Sequence, residues 1–229
     1  ALALAIAHVM IERGWYDKPF IRDWTNGPLL VRSDNGRLLT ERDLSSAGSA
    51  QRYVAWNEEQ GRLALYDPTL VSYECDSADL ALFGEFTLGT LQGELLCRPA
   101  FDLAAEVCRR YAPDRAEAIC GVERDQIESA ARLLWKSRPV AYNAWSGLEM
   151  QSTATQIARA IGLLYALTGS FDVKGGNVIL PAVPTGDVSG NELISAEQRA
   201  LALGLTERPL GPGRFQHVTS EEIYRGILE

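Results

Sequence analysis

The stretch from Arg138 to Gly169 restricts the fold more than any other part of the chain. Arg138-Pro139-Val140-Ala141-Tyr142-Asn143-Ala144 has the short apolar character of a buried strand, and Trp145–Gln151 is a polar turn with one glycine. Ser152–Leu167 then follows helical spacing, with Ile157, Ala160, Ile161, Leu164 and Leu167 on one face. Thr168-Gly169 closes that helix. Lys174-Gly175-Gly176-Asn177 forms a glycine turn ahead of apolar Val178–Leu180. Strand, turn and helix in succession fit an α/β layer arrangement.

Upstream, Leu2, Leu4, Ile6, Val9, Met10 and Ile11 make a first helix apolar nearly all round, which predicts burial, and Gly14 ends it. Asp17 caps a second helix from Lys18 to about Trp24, with Pro19 tolerated in its first turn. Asn26-Gly27-Pro28 turns the chain into a short strand, Leu29–Arg32. From Ser33 to Glu94 the pattern loosens into an inserted, hairpin-rich flap, with strand candidates at Gln51–Trp56, Arg62–Tyr66 and Glu85–Leu88. Helical spacing resumes after Pro99 with Phe101, Leu103, Ala104, Val107, Cys108 and Tyr111. A short helix to about Cys120, stopped by Gly121, and a longer one over Glu123–Trp135 follow. From residue 181 the chain is a Pro/Gly-rich connection with helices at about Ala196–Leu203 and after Thr219. The expected organisation is a domain over residues 1–180, with 33–94 inserted, and a connection over 181–229 that leads into a next domain. The first helix has no N-cap residue before Ala1, and the last, opened by the capping box Thr219–Glu222, has no C-cap signal. Both ends are therefore expected to be cuts in a longer polypeptide.

Charge narrows the partners. With 22 Lys+Arg against 30 Asp+Glu the formal charge is −8, which speaks against nucleic acid, since phosphate binding needs a basic face. The longest apolar run, Ala1–Ala7, is far shorter than the roughly 20 residues of a spanning helix, so no membrane contact is expected from this segment. No signal peptide is visible. A cytoplasmic location is expected, with the periplasm as the alternative for a longer parent. Cys75, Cys97, Cys108 and Cys120 form no CxxC, and His8 and His217 are the two histidines, so no metal ligands are assigned. His8 falls on an apolar helix, where a packed histidine is expected.

The place for chemistry is the turn after the Val140–Ala144 strand. In open α/β sheets, ligands sit outside the carboxyl ends of strands, where helix N-termini aim N–H groups outward. Gly147 lets backbone approach a ligand, Ser146 and Gln151 offer hydrogen bonds, and Glu149 can accept from amino groups. The alternative is an ordinary turn with Trp145 packed. Gly175-Gly176-Asn177 is the second candidate, against a plain helix-to-strand turn. Arg98 and Arg159 either pair with carboxylates, which is the expectation, or meet a phosphate. No catalytic residue is assigned, because no GxSxG, HExxH or Walker loop is present.

Several landmarks resemble one family in their joint order. They are Ala1–Asn26 with its Ala-Leu-rich helix, Tyr111-Ala112-Pro113-Asp114, Ile119-Cys120-Gly121-Val122, Trp145-Ser146-Gly147, Arg159-Ala160, Leu167-Thr168-Gly169 and Gly175-Gly176-Asn177. The family is that of the molybdopterin-dinucleotide oxidoreductases, of the formate dehydrogenase, nitrate reductase and dimethyl sulfoxide reductase type. The resemblance covers most of residues 1–30 and 95–180 and implies an internal piece of the large catalytic subunit. It further implies a Rossmann-like layered sheet with helices on both faces. The implied cofactor is a molybdopterin guanine dinucleotide carrying Mo or W, covered on one face by Trp145, Ser146, Gly147, Glu149, Gly175, Gly176 and Asn177. An Fe–S cluster would lie in a missing N-terminal part. Implied partners are a small-molecule substrate, the rest of the same polypeptide and an electron-transfer subunit. Gly147-Leu148-Glu149-Met150-Gln151 departs from the family's Gly-x-x-Gln, with Glu149 where an amide is usual. Two rival readings are a non-catalytic electron-transfer descendant that has lost the pterin, and a self-contained nucleotide-binding module.

Overall fold

Ala5 and Ala7 are fully buried in the first helix, α1 (Leu2–Glu12), because other helices close on it from several sides. In the computed structural model, which describes residues 1–186, 188, 190–204 and 218–228, Ala5 packs with Ala116 of α5 (Pro113–Cys120) and Ile127 of α6 (Arg124–Lys136). Ala7, Val9, Met10 and Ile11 face a second cluster. Its other members include Phe101, Ala105 and Cys108 of α4 (Ala100–Arg109), Ala131 of α6, and Leu164 and Leu167 of α8 (Ala154–Thr168). Packing into both clusters makes α1 the hub of the helical layer. Half-buried His8 belongs to this helix; His217 lies outside the described residues.

Asp17 opens α2 (Lys18–Trp24) by accepting from Phe20 N at 3.0 Å. The chain then enters the β layer. β1 (Leu30–Arg32), β6 (Gly93–Pro99) and β5 (Phe86–Thr90) form an antiparallel sheet in the order β1-β6-β5, with Leu30 opposite Pro99 and Phe86 opposite Cys97. A short helix, α3 (Glu41–Leu44), carries a Thr40–Asp43 capping box. β2 (Tyr53–Asn57), β3 (Arg62–Asp67) and β4 (Ser72–Tyr73) make a second antiparallel sheet, with Tyr53 opposite Tyr66 and Tyr66 opposite Tyr73. Two small cores hold this layer, one around Leu30, Leu39, Val54, Leu88 and Cys97, the other around Leu29, Ala55, Ala64 and Leu80.

β6 runs straight into α4, so the β layer is tied to the helices by backbone. Ala100 N donates to Leu29 O at 2.9 Å and Phe101 N to Gly27 O at 3.0 Å, which satisfies first-turn amides of α4 without a side-chain cap. Gly27 is needed there, because a Cβ would stand 2.8 Å from Ile21 Cγ2.

Residues 180–229 form a separate unit from residues 1–179. It contains α9 (Ala196–Ala200), opened by a Ser195–Gln198 capping box, and α10 (Ser220–Leu228), where Glu222 accepts from Thr219 N at 3.2 Å.

One expectation is corrected. Val140–Ala144 is not a buried strand. The segment runs unpaired by any strand among the described residues, and Ala141, Asn143 and Ala144 are exposed. Both sheets are antiparallel, and the one parallel bridge among the described residues joins Phe171 to Asn177.

Candidate functional site

Side chains hold the segment after α6 in place of a strand. Val140 N donates to Ser170 Oγ at 3.1 Å, and Tyr142 N donates to Asn177 Oδ1 at 2.6 Å. Asn177 Nδ2 returns a bond to Tyr142 O at 2.8 Å, so one carboxamide pairs with both backbone groups of Tyr142 as a neighbouring strand would. The Tyr142 ring inserts beside α8, where its hydroxyl donates to Leu164 O at 3.1 Å and lies 3.0 Å from Thr168 Oγ1. Burial is the main reason the Tyr142 phenol is pushed up from its ordinary pKa; the bond with Thr168 acts the other way.

Asp17 anchors the start of the same segment. Beyond capping α2, it lies 3.7 Å from the Arg138 guanidinium, and its own N–H donates to Leu167 O at 2.9 Å. Arg138 stacks 3.4 Å over the Trp135 ring. The left-handed Gly169 (φ +60°) packs against Asp17: a Cβ there would stand 2.6 Å from the carboxylate oxygen.

Past Tyr142 the chain runs outward. Trp145 is 81% exposed, so it is not the packed indole of an ordinary turn. Ser146–Glu149, expected as an irregular polar turn, coils into a single-turn helix, α7. Gln151 folds back on it, donating from Nε2 to Gly147 O at 3.3 Å. A Cβ added at Gly147 would meet no atom within 4 Å, and its φ lies outside the left-handed region. The side chain of Glu149 lies outside what the structure describes.

Gly175 and Gly176 behave differently. Gly175 takes φ +93°, and a Cβ on it would reach Pro139 Cγ at 3.0 Å; at Gly176 a Cβ would collide with Ser170 O at 2.2 Å. Both glycines are required by the turn itself, which delivers Asn177 to Tyr142. The structure thus joins the two candidate loops through one extended segment. Trp145, Ser146 and Gly147 face outward at its end, while Gly175, Gly176 and Asn177 clamp its middle. Periodicity does not reveal that clamp, because a carboxamide standing in for a strand leaves no alternating pattern.

Of the two arginines, Arg98 meets carboxylates, with Nε 3.1 Å from Asp102 and Nη1 2.8 Å from Glu106. Exposed Arg159 meets none among the described residues. It lines, with Gln156 and Asn26, an otherwise largely apolar groove of about 650 Å³ between α1, α2, α4 and α8. Among the described residues no three His, Cys, Asp or Glu side chains gather to hold a metal, and no helix is long and apolar enough to cross a membrane.

The helical layer thus presents one tethered, outward-facing loop, held through Tyr142 and ending at the exposed Trp145. No family model matches the chain. It is 28% identical over 179 residues to the alpha subunit of dimethylsulfide dehydrogenase from Rhodovulum sulfidophilum, which covers 76% of this chain and 19% of that protein. It is 29% identical over 203 residues to the alpha subunit of perchlorate reductase from Dechloromonas aromatica (78% and 22%). It is 25% identical over 189 residues to the alpha subunit of respiratory nitrate reductase from Haloferax mediterranei (76% and 19%). The chain is accordingly a relative of the catalytic alpha subunits of the molybdopterin oxidoreductases, and it corresponds to part of such a polypeptide. It spans about a fifth of the length of these relatives.

Proposed function

We propose that the chain is part of the catalytic subunit of a molybdenum- or tungsten-dependent oxidoreductase, in which Trp145, Ser146 and Gly147 cover one face of a molybdopterin guanine dinucleotide. When bound, that group would supply exchange of two electrons or an oxygen atom with a small substrate. The residues of this chain bind and orient. The Trp145 indole offers a flat apolar face, Ser146 a hydroxyl, and the Gly147 backbone a surface open to close approach. Glu149 belongs to the same turn. Gly175, Gly176 and Asn177 hold the loop in register through Tyr142, and Asp17 fixes its start through Arg138.

One observation carries this reading: Gly147 has no reason inside the chain to be glycine. Nothing within 4 Å would obstruct a side chain and its φ demands none of glycine's freedom, so the space suits a ligand from outside. The remainder follows from the family. The outer edge of Val140–Ala144, where the backbone groups of Ala141 and Asn143 have no hydrogen bond among the described residues, would join a Rossmann-like sheet completed by other parts of the polypeptide. An Fe–S cluster and an electron-transfer subunit would belong to those parts and their surroundings.

The test is Gly147→Val in the full-length polypeptide. Pterin and metal content per folded protein should fall several-fold, while the melting temperature of the 229-residue chain moves little. Full occupancy in the variant would remove Gly147 from the cofactor's surface.

A further inference from the structure

The end of α2, strands β3 and β4 and the residues that follow β4 line a cavity of about 430 Å³. That size suits a small-molecule ligand. Three aromatic residues line it: Trp24, Tyr66 and Tyr73, the two tyrosine rings standing 4.8 Å apart at 51°. Two carboxylates line it as well, Asp23 and Asp76, and no lysine, arginine or histidine is among its lining residues. Trp24 is 73% exposed, an expensive position for an indole unless its face meets something. Val71, also on the wall, is held at φ +51°, which a β-branched side chain rarely adopts.

These features select one chemistry. Aromatic faces carry negative potential and attract cations, and a carboxylate at the same wall completes the charge. An anion would meet two carboxylates. A small hydrated metal ion would find only two carboxylates on this wall, and among the described residues no three His, Cys, Asp or Glu side chains gather to hold one. An alkylated ammonium spreads its charge over methyl groups that pack on rings. We propose that this cavity binds a small organic cation of the quaternary or tertiary ammonium class, with Trp24, Tyr66 and Tyr73 against the methyl groups and Asp23 opposite the charge. Ionisation of the Tyr73 phenol is opposed first by burial and then by its neighbours Tyr66, Asp23 and Cys75.

The experiment titrates the full chain with choline and with its neutral carbon isostere, 3,3-dimethylbutan-1-ol, following the Trp24 indole N–H by NMR, assigned through Trp24→Phe. Choline should give a saturable shift, the isostere should bind at least ten-fold more weakly, and Asp23→Asn should weaken choline at least five-fold; so should Trp24→Ala, followed there by the backbone amide N–H of Tyr73, which also lines the cavity. Asp23 and Trp24 are exposed, so neither variant threatens the fold. Absence of a saturable shift would overturn the proposal. So would equal affinity for the isostere, which would make the cavity merely apolar, and so would an unaffected Asp23→Asn.

Discussion

Removing the Asn177 carboxamide should release the tethered segment without unfolding the helices around it. Asn177→Ala deletes two hydrogen bonds to Tyr142, of 2.6 and 2.8 Å. Each is worth about 0.5–1.5 kcal/mol net in a half-buried setting, so the loss is about 1–3 kcal/mol. For a chain of this size that lowers the melting temperature by roughly 2–12 °C. The sharper readout is local. Exchange of the Tyr142 amide should accelerate about five-fold or more, since about 1.4 kcal/mol is one decade, while amides in the middle of α1 keep their protection. Asn177→Asp refines the test. A carboxylate still accepts from Tyr142 N, but its second oxygen would face Tyr142 O and repel it. That repulsion raises the carboxyl pKa in the folded state above the ordinary value of about 4. The protonated form can donate to Tyr142 O, so stability relative to wild type should recover below about pH 4 and be lost as pH rises through the raised pKa. If Tyr142 exchanges at the wild-type rate in Asn177→Ala, or if Asn177→Asp shows no such pH dependence, the carboxamide does not hold this segment.

Gly169→Ala should cost about 2–3 kcal/mol, because φ +60° is strained for alanine and the new Cβ pushes the Asp17 carboxylate off the α2 N-terminus; thermal unfolding measures it. Burial pushes the Cys97 and Cys108 thiols up to about 11, so a disulfide reagent at pH 8 should label exposed Cys120 long before either. Because those two folded-state values lie above the ordinary 9.0, folding is fully supported below about pH 9 and loses stability as pH rises from there towards 11, which chemical denaturation across that range would register. Gly147→Val should leave the melting temperature of the chain within a few degrees, the part of the cofactor test that needs no cofactor.

How far these features could be foreseen depends on whether they rest on local or long-range interactions. α2 was legible to the residue, since an Asp N-cap and an early proline are signals confined to a few positions. The hairpin strands Tyr53–Asn57, Arg62–Asp67 and Phe86–Thr90 fall within about two residues of their expected places. β6 was not legible. Gly93-Glu94-Leu95-Leu96-Cys97-Arg98-Pro99 sets two leucines side by side rather than in alternation, and pairing with both β1 and β5 makes it a strand. Val140–Ala144 shows the opposite error. Its composition is that of a buried strand, but a strand is completed by a neighbour, and none of the described residues provides one.

The candidate site divides along the same line. Both glycine-containing loops are candidates for the same reason, that glycine permits close approach. A glycine in a sequence does not say what approaches it. At Gly176 the approaching atom is Ser170 O, 2.2 Å from where a Cβ would stand, and at Gly175 it is Pro139. These glycines are consumed in delivering Asn177 to Tyr142. At Gly147 nothing approaches from within, and the exposed indole of Trp145 stands next to it. Two loops that look alike in sequence therefore take different parts: one builds the support, and the other presents the surface. The support explains the placement of that surface, because Tyr142 is three residues from Trp145 and is bonded on both backbone groups. A variant that frees Tyr142 should consequently weaken the proposed ligand contact at Trp145 while leaving Trp145, Ser146 and Gly147 themselves unaltered, and Gly147→Val should do so with Tyr142 still protected from exchange. Occupancy and exchange measured on the same two variants separate a positioning residue from a contacting one.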